Sequence, residues 1–164
     1  MLQHPSEATH AKNTARLIEL VTETCEINVG ETPEDFAEVK KALQTNTGAV
    51  VLFPAPQSMA LADELAARPI DTLVILDGTW RKAKKIWLAN PWLQQLRVCH
   101  LNGHANSDYR IRRSKYPNSL STLEAAVVAL GALESTPTAP LTEAFSAMQS
   151  HWPEALATTS FDDD

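Results

Sequence analysis

The chain has 164 residues, 44% of them hydrophobic and 21% charged, and a formal net charge of −6. A chain of that size and composition can bury a core as one globular domain, without disulfide or metal staples. No apolar stretch reaches the length of a bilayer crossing, and the two cysteines, Cys25 and Cys99, stand far apart in no paired motif, so neither a membrane-spanning helix nor a disulfide scaffold is expected, and a reducing cytoplasm is the expected setting.

Taken in chain order, residues 1–3 read as the stub of a first strand, and MLQHPSEATH has neither the basic start nor the apolar middle of a signal peptide. A helix is expected over 12–21 and a strand over 26–29. Thr32, Pro33, Glu34 and Asp35 then make a helix start, with a cap, a proline at the first position and acids in the first turn. That helix is expected over 33–43. Strands at 49–53 and 72–76 flank a helix at 59–66. AVVLF and TLVIL are apolar at successive positions rather than alternating, the pattern of strands covered on both faces. A helix over 80–88, a strand over 97–101, and helices over 122–133 and 142–149 complete the series, with STPTAP joining the last two. Alternating strands and helices predict a single α/β domain: a mostly parallel sheet with helices on both faces.

Ligands of such sheets bind at the carboxyl ends of the strands. Two strands run into distinctive turns there: AVVLF into Pro54, and TLVIL into Asp77, Gly78 and Thr79. The polar, basic stretch from 102 to 120 has no clear periodicity, and a loop of that length in a compact domain is more often functional than idle.

The acidic net charge conceals a basic block. Nine of the fourteen Lys and Arg residues fall between Trp80 and Tyr116, opposed there only by Asp108. On a helix beginning near Thr79, Trp80, Ala83, Ile86 and Trp87 share one side, while Arg81, Lys82, Lys84 and Lys85 share the other. A solvated helix face accounts for the amphipathicity but not for the uniform sign. Cations in a first turn also oppose the helix dipole, a cost that an anionic partner would offset. Tyr109, Arg110, Ile111, Arg112 and Arg113 interleave cations with aromatic and apolar residues, a mixture suited to phosphates and unpaired bases.

Asp77 has two readings. It is an acceptor of backbone N–H groups at its turn, or a general base at the ligand-binding edge. Ser121 and Glu124 form an S-x-x-E capping box at the start of an all-round apolar helix, which leaves open a second role at a cofactor pocket. Cys99, His100 and His104 lack a matching second pair of ligands, so no metal site is assigned to them.

In order along the chain, His4-Pro5-Ser6-Glu7, Asn13-Thr14, Phe53-Pro54, Asp77-Gly78-Thr79-Trp80, Asn90-Pro91, Tyr109-Arg110-Ile111-Arg112 and Leu120-Ser121-Thr122-Leu123-Glu124-Ala125 together resemble the DTW-domain family of tRNA-uridine aminocarboxypropyltransferases. The matches extend from residue 1 to about residue 134. The resemblance implies a SPOUT-like fold with a C-terminal trefoil knot around an S-adenosylmethionine site. It also implies transfer of the 3-amino-3-carboxypropyl group of that cofactor to N3 of a uridine in tRNA. Asp77 carries over as the catalytic residue. A donor cleft of Pro54, Leu76, Thr79, Trp80, Leu120, Ser121, Thr122 and Glu124 is expected. RNA is expected on Arg16, Arg81, Lys82, Lys84, Lys85, Arg110, Arg112 and Arg113. The family's N-terminal cysteine-rich, zinc-ribbon-like segment has no counterpart here, and no zinc is expected. The alternatives are a methyltransferase or a ribosomal RNA aminocarboxypropyltransferase of the same architecture, a non-catalytic RNA-binding protein, and an α/β enzyme holding an acidic metabolite.

Overall fold

Residues that are apolar on both sides of a strand need cover from both sides, and the chain supplies it. The computed structural model describes residues 1–10, 13–102, 120–133 and 137–151. Its elements are β1 (Leu2–Gln3), α1 (Pro5–Ala8), α2 (Ala15–Val21), β2 (Asn28–Val29), α3 (Ala37–Gln44), β3 (Ala49–Leu52), β4 (Met59–Ala60), α4 (Leu61–Ala67), β5 (Thr72–Asp77), α5 (Trp80–Ala89), a 3₁₀ turn (Pro91–Gln95), β6 (Arg97–His100), α6 (Thr122–Leu133) and α7 (Ala139–Ser150). The six strands form one open sheet in the order β2-β1-β5-β3-β6-β4, and every neighbouring pair is parallel. The expected α/β class with a parallel sheet is therefore present.

Register decides what each face carries. Leu2 lies opposite Leu76 and Gln3 opposite Asp77, while Leu52 lies opposite both Ile75 and Cys99. Because side chains alternate along a strand, Leu2, Val51, Phe53, Val74, Leu76 and Val98 share one face. They pack there with Phe36, Ile86, Trp87 and Leu93, so α3, α5 and the 3₁₀ turn cover that side. Ile75 faces the other way and packs with Ile18 of α2, Leu123 and Ala126 of α6, and Leu141 and Phe145 of α7. Val50 and Cys99 meet Leu61 of α4 and Ala129 of α6 on that same second face. Each fully buried side chain of this kind is worth about 1.5–3 kcal/mol relative to exposure. Gln3 and Asp77, in register at the carboxyl edge, belong to the α6 face.

Two expectations need correction. The helix expected from residue 33 begins at Ala37. Asp35 turns its carboxylate back to accept from the backbone N–H groups of Glu31 and Thr32 at 2.9 and 2.8 Å, so residues 31–36 form a turn rather than a first helical turn. The helix expected from residue 59 is instead a two-residue edge strand, β4, running into α4. An element not expected from the sequence is the short helix Pro5–Ala8 at HPSE, where His4 caps by accepting from Ser6 N–H.

Arg97, counted in the basic block, is structural. Its Nε meets Glu64 Oε1 at 2.5 Å, and its Nη1 donates to the carbonyl of Pro69 at 2.9 Å. Nη2 donates to the carbonyl of Arg68 at 3.2 Å. Glu64 is itself buried. Breaking a buried pair by removing one partner costs about 3–5 kcal/mol, because the other charge is left stranded. Arg97→Met should lower unfolding free energy by about that amount in chemical denaturation, and the double variant Arg97→Met/Glu64→Leu should recover most of the loss.

Candidate functional site

The carboxyl ends of β1 and β5 lie side by side, and Asp77 is the last residue of β5. Its side chain is only 5% exposed. Gln3 Nε2 donates to Oδ2 at 2.8 Å, and Thr122 Oγ1 donates to Oδ1 at 2.5 Å. His4 N–H donates to the Asp77 carbonyl at 3.1 Å. One carboxylate thus joins the ends of two strands to the first turn of α6. The chain can turn sharply after it because Gly78 has φ +153, and a Cβ there would come 3.0 Å from Lys82 Cβ. Thr79 then caps α5, its Oγ1 accepting from Lys82 N–H at 3.4 Å.

The capping box read from the sequence is formed. Ser121 Oγ accepts from Glu124 N–H at 3.2 Å, and Glu124 Oε2 accepts from Ser121 N–H at 2.7 Å. Because Ser121 and Glu124 serve the cap, Thr122 is left to direct its hydroxyl at Asp77.

The remaining motifs are braces around this edge. Glu7, 2% exposed, pairs with Lys82 Nζ at 3.0 Å, so α1 is tied to the first turn of α5. Asn13 Nδ2 donates to the Glu7 carbonyl at 3.0 Å, and Asn13 Oδ1 accepts from Ala15 N–H at 2.9 Å. Asn90, fully buried, donates to the carbonyls of Glu31 and Ile86, both at 2.8 Å, and accepts from Trp92 Nε1 at 3.0 Å. Glu31 takes His4 Nε2 at 2.8 Å and Lys85 Nζ at 2.9 Å. Lys85, and after it His4, hold the Glu31 carboxyl below its ordinary value.

The basic face expected on α5 is therefore divided. Lys82 is turned inward to Glu7 and Lys85 engages Glu31. Arg81 and Lys84 are exposed and make no ion pair among the described residues. Trp80, expected to anchor α5 beside Ala83, Ile86 and Trp87, is instead 41% exposed. Arg16 is exposed on α2, away on the opposite face of the sheet from α5. Arg110, Arg112, Arg113 and His104 lie outside the described residues.

Of the expected donor cleft, Thr122 touches Asp77 directly. Pro54 is exposed just beyond β3, and Leu120 is half-buried before α6. The Leu76 side chain is buried in the core with Leu2 and Phe53, leaving its backbone as the part that reaches the edge. Cys99 and His100 point to opposite faces, as expected of strand neighbours. Burial pushes the Cys99 thiol up to about 12. Ser58 Oγ donates to the Ala55 carbonyl at 2.6 Å, so His100 Nδ1 must donate to Ser58 Oγ at 2.9 Å. No cluster of three or more metal-ligating side chains occurs among the described residues, and no helix among them is long and apolar enough to cross a membrane.

Sequence reasoning passed over Gln3 and Glu31. Gln3 sits in a strand of two residues, too short to show a period, and Glu31 sits in a turn. Only the resemblance of the HPSE and Asn90-Pro91 stretches hinted that their surroundings mattered.

A family model described as DTW domain matches residues 1–153. A Drosophila melanogaster protein named tRNA-uridine aminocarboxypropyltransferase 2 is 35% identical over 143 residues, which cover 84% of this chain and 56% of the relative. Proteins of the same name from Mus musculus and Macaca fascicularis are each 30% identical over 139 residues, covering 82% of this chain and 47% of each relative. The chain spans about half the length of the curated relatives it matches. No solved structure matches it.

The Glu31 link sets a pH dependence with a definite sign. A depressed carboxyl pKa contributes stability above the unfolded value, ordinarily 4.5, and that contribution is lost as pH falls through the folded value. In a carboxyl NMR titration, Lys85→Gln should move the Glu31 midpoint up toward 4.5. An unmoved midpoint would show that Lys85 does not engage it in solution.

Proposed function

The chain belongs to the DTW domain family, and from that premise we propose that it transfers the 3-amino-3-carboxypropyl group of S-adenosylmethionine to N3 of a uridine in tRNA. The names of its relatives support tRNA and aminocarboxypropyl transfer as the substrate and reaction class. The observation that carries the reading is the position of Asp77: a carboxylate at the carboxyl edge of a parallel sheet, oriented from two sides by Gln3 and Thr122. The SPOUT-like arrangement with its C-terminal trefoil knot is part of the same proposal, and the parallel sheet with helices on both faces supports it.

The residues present suit such a donor. Its ammonium and sulfonium groups are cationic, and Asp77 sets negative charge at the rim where they would be attracted. When bound, the donor would supply an electrophilic γ-carbon whose bond to the positively charged sulfur breaks as the bond to N3 forms, the thioether 5′-methylthioadenosine leaving with the electron pair. Pro54, the backbone at Leu76, Thr79, Trp80, Leu120 and the α6 start at Ser121, Thr122 and Glu124 would hold it.

The protein's own part is positioning and one proton transfer. Asp77 would accept the N3 proton of the uridine as N3 becomes the nucleophile. Gln3 and Thr122 fix the plane of the carboxylate, and the Thr122 hydroxyl can rotate from donor to acceptor once Asp77 is protonated. The uridine must be unpaired, because N3 is occupied in any Watson–Crick pair. Arg81 and Lys84, with Arg110, Arg112 and Arg113, would hold phosphates, while Lys82 contributes through its hold on Glu7.

The test is incubation with unmodified tRNA and labelled donor, followed by nucleoside mass spectrometry. An added aminocarboxypropyl mass on uridine is expected, whereas an added methyl would contradict the proposal. Asp77→Asn is close to isosteric, and both the Gln3 amide and the Thr122 hydroxyl can reorient to match it, so folding should survive. Turnover should fall by about 10²–10⁴-fold with tRNA binding retained and donor binding weakened only by the loss of one charge. Full activity in that variant would make Asp77 a turn residue only.

A further inference from the structure

Gln3 decides how the Asp77 carboxylate is turned, yet β1 is too short to fix Gln3 by itself. The strand has two residues, and its backbone is used up at the rim. The Gln3 carbonyl accepts from Gly30 N–H at 2.9 Å, and His4 N–H donates to the Asp77 carbonyl at 3.1 Å. Pro5 follows and has no N–H with which to extend the ladder. The hold on the strand end therefore passes to the His4 side chain.

That side chain has a defined tautomer. Ser6 N–H donates to His4 Nδ1 at 3.3 Å, so Nδ1 is the acceptor and Nε2 carries the hydrogen. Nε2 donates to Glu31 Oε2 at 2.8 Å. Glu31 is itself anchored: its N–H donates to Asp35 Oδ2 at 2.9 Å, its carbonyl accepts from Asn90 Nδ2 at 2.8 Å, and its Oε1 meets Lys85 Nζ at 2.9 Å. The residue before it is Gly30, where a Cβ would come 2.4 Å from Asp35 Cβ, so this turn closes only with glycine. A hydrogen bond to a carboxylate is stronger than a neutral one. Here both partners are fixed before they meet, so the contact transmits position from α5 and the turn after β2 to the end of β1.

We propose that His4 and Glu31 are positioning residues for the transfer: they keep Gln3 on Asp77, and through it set the plane in which the carboxylate meets the N3 proton. The inference rests on the transfer reading above. It gives the HPSE stretch a part in the chemistry beyond capping a short helix.

The experiment compares the intact chain with Glu31→Ala, Glu31→Gln, His4→Ala, Gln3→Ala and the double variant Glu31→Ala/Gln3→Ala. Turnover of unmodified tRNA gives kcat and both KM values, and NMR follows the Gln3 side-chain amide. A small misplacement of a reacting group costs up to about 10²-fold in rate, so Glu31→Ala should lose about 10- to 100-fold in kcat with both KM values nearly unchanged. His4→Ala breaks the same contact from its other side and should reproduce that loss, which keeps the test open should Glu31→Ala fail to fold. Glu31→Gln keeps an acceptor for His4 Nε2–H and should retain most of kcat. Because Glu31 acts through Gln3, its removal from the Gln3→Ala chain should cost little more, whereas independent structural losses would multiply. In Glu31→Ala the Gln3 amide resonances should move toward those of a solvated glutamine. Thermal unfolding checks that each variant is folded. An unchanged kcat in Glu31→Ala and His4→Ala, multiplying losses in the double variant, or an unmoved Gln3 amide would overturn the proposal. A wild-type chain that transfers nothing to tRNA would defeat the transfer reading instead. The Gln3 amide alone would then decide: the brace stands if it moves in Glu31→Ala and falls if it does not.

Discussion

The hydrogen bonds that Gln3 and Thr122 donate to the Asp77 carboxylate organise the molecule. Gln3 comes from a strand of two residues at the start of the chain, and Thr122 from a helix 45 positions beyond Asp77. Neither β1 nor the first turn of α6 has enough local structure to place itself. Both are located by a carboxylate that a buried central strand holds in one position. A buried charge is tolerated only where donors compensate its lost hydration, so the same constraint that draws these elements together also keeps the carboxylate oriented. The carboxylate stands at the end of a largely buried strand and not on a loop.

Around that point the charges are divided between structure and surface. Lys82 is used by buried Glu7, Lys85 by Glu31 and Arg97 by buried Glu64. The uniform sign of the helix face, which in the sequence suggested a continuous polyanion-binding stripe, therefore has a composite origin. Part of it holds α1 and the turn after β2 against α5, and only Arg81 and Lys84 are left free on the described part of that helix. The structure also relieves the cost of cations in a first turn, because Glu7 brings its carboxylate to the α5 N-terminus.

The sheet was legible because AVVLF and TLVIL are apolar at every position, and only a doubly covered strand supports that pattern. The α6 start was legible because a capping box is a local device, set by residues three apart. The same is true of Asp77 at the end of its strand. What could not be read depends on contacts distant in sequence. Gln3 lies 74 positions from the carboxylate it touches, and Glu7 lies 75 from Lys82. The start of α3 was misplaced for a local reason: Asp35 can serve the amides before it as well as those after, and only the fold chooses between them. Trp80 was placed in the core by helical periodicity, but the first residue of a helix at a sheet edge has nothing above it to pack against, so it stacks sideways on Phe53 instead.

The central claim is that the donor meets the chain where β1, β5 and α6 converge. The most direct test is a crystal structure of this chain with S-adenosylmethionine bound. The account predicts the aminocarboxypropyl arm at the rim beside Asp77, between the end of β5 and the first turn of α6. A donor lodged elsewhere on the chain, with Asp77 still closed under Gln3 and Thr122, would contradict it.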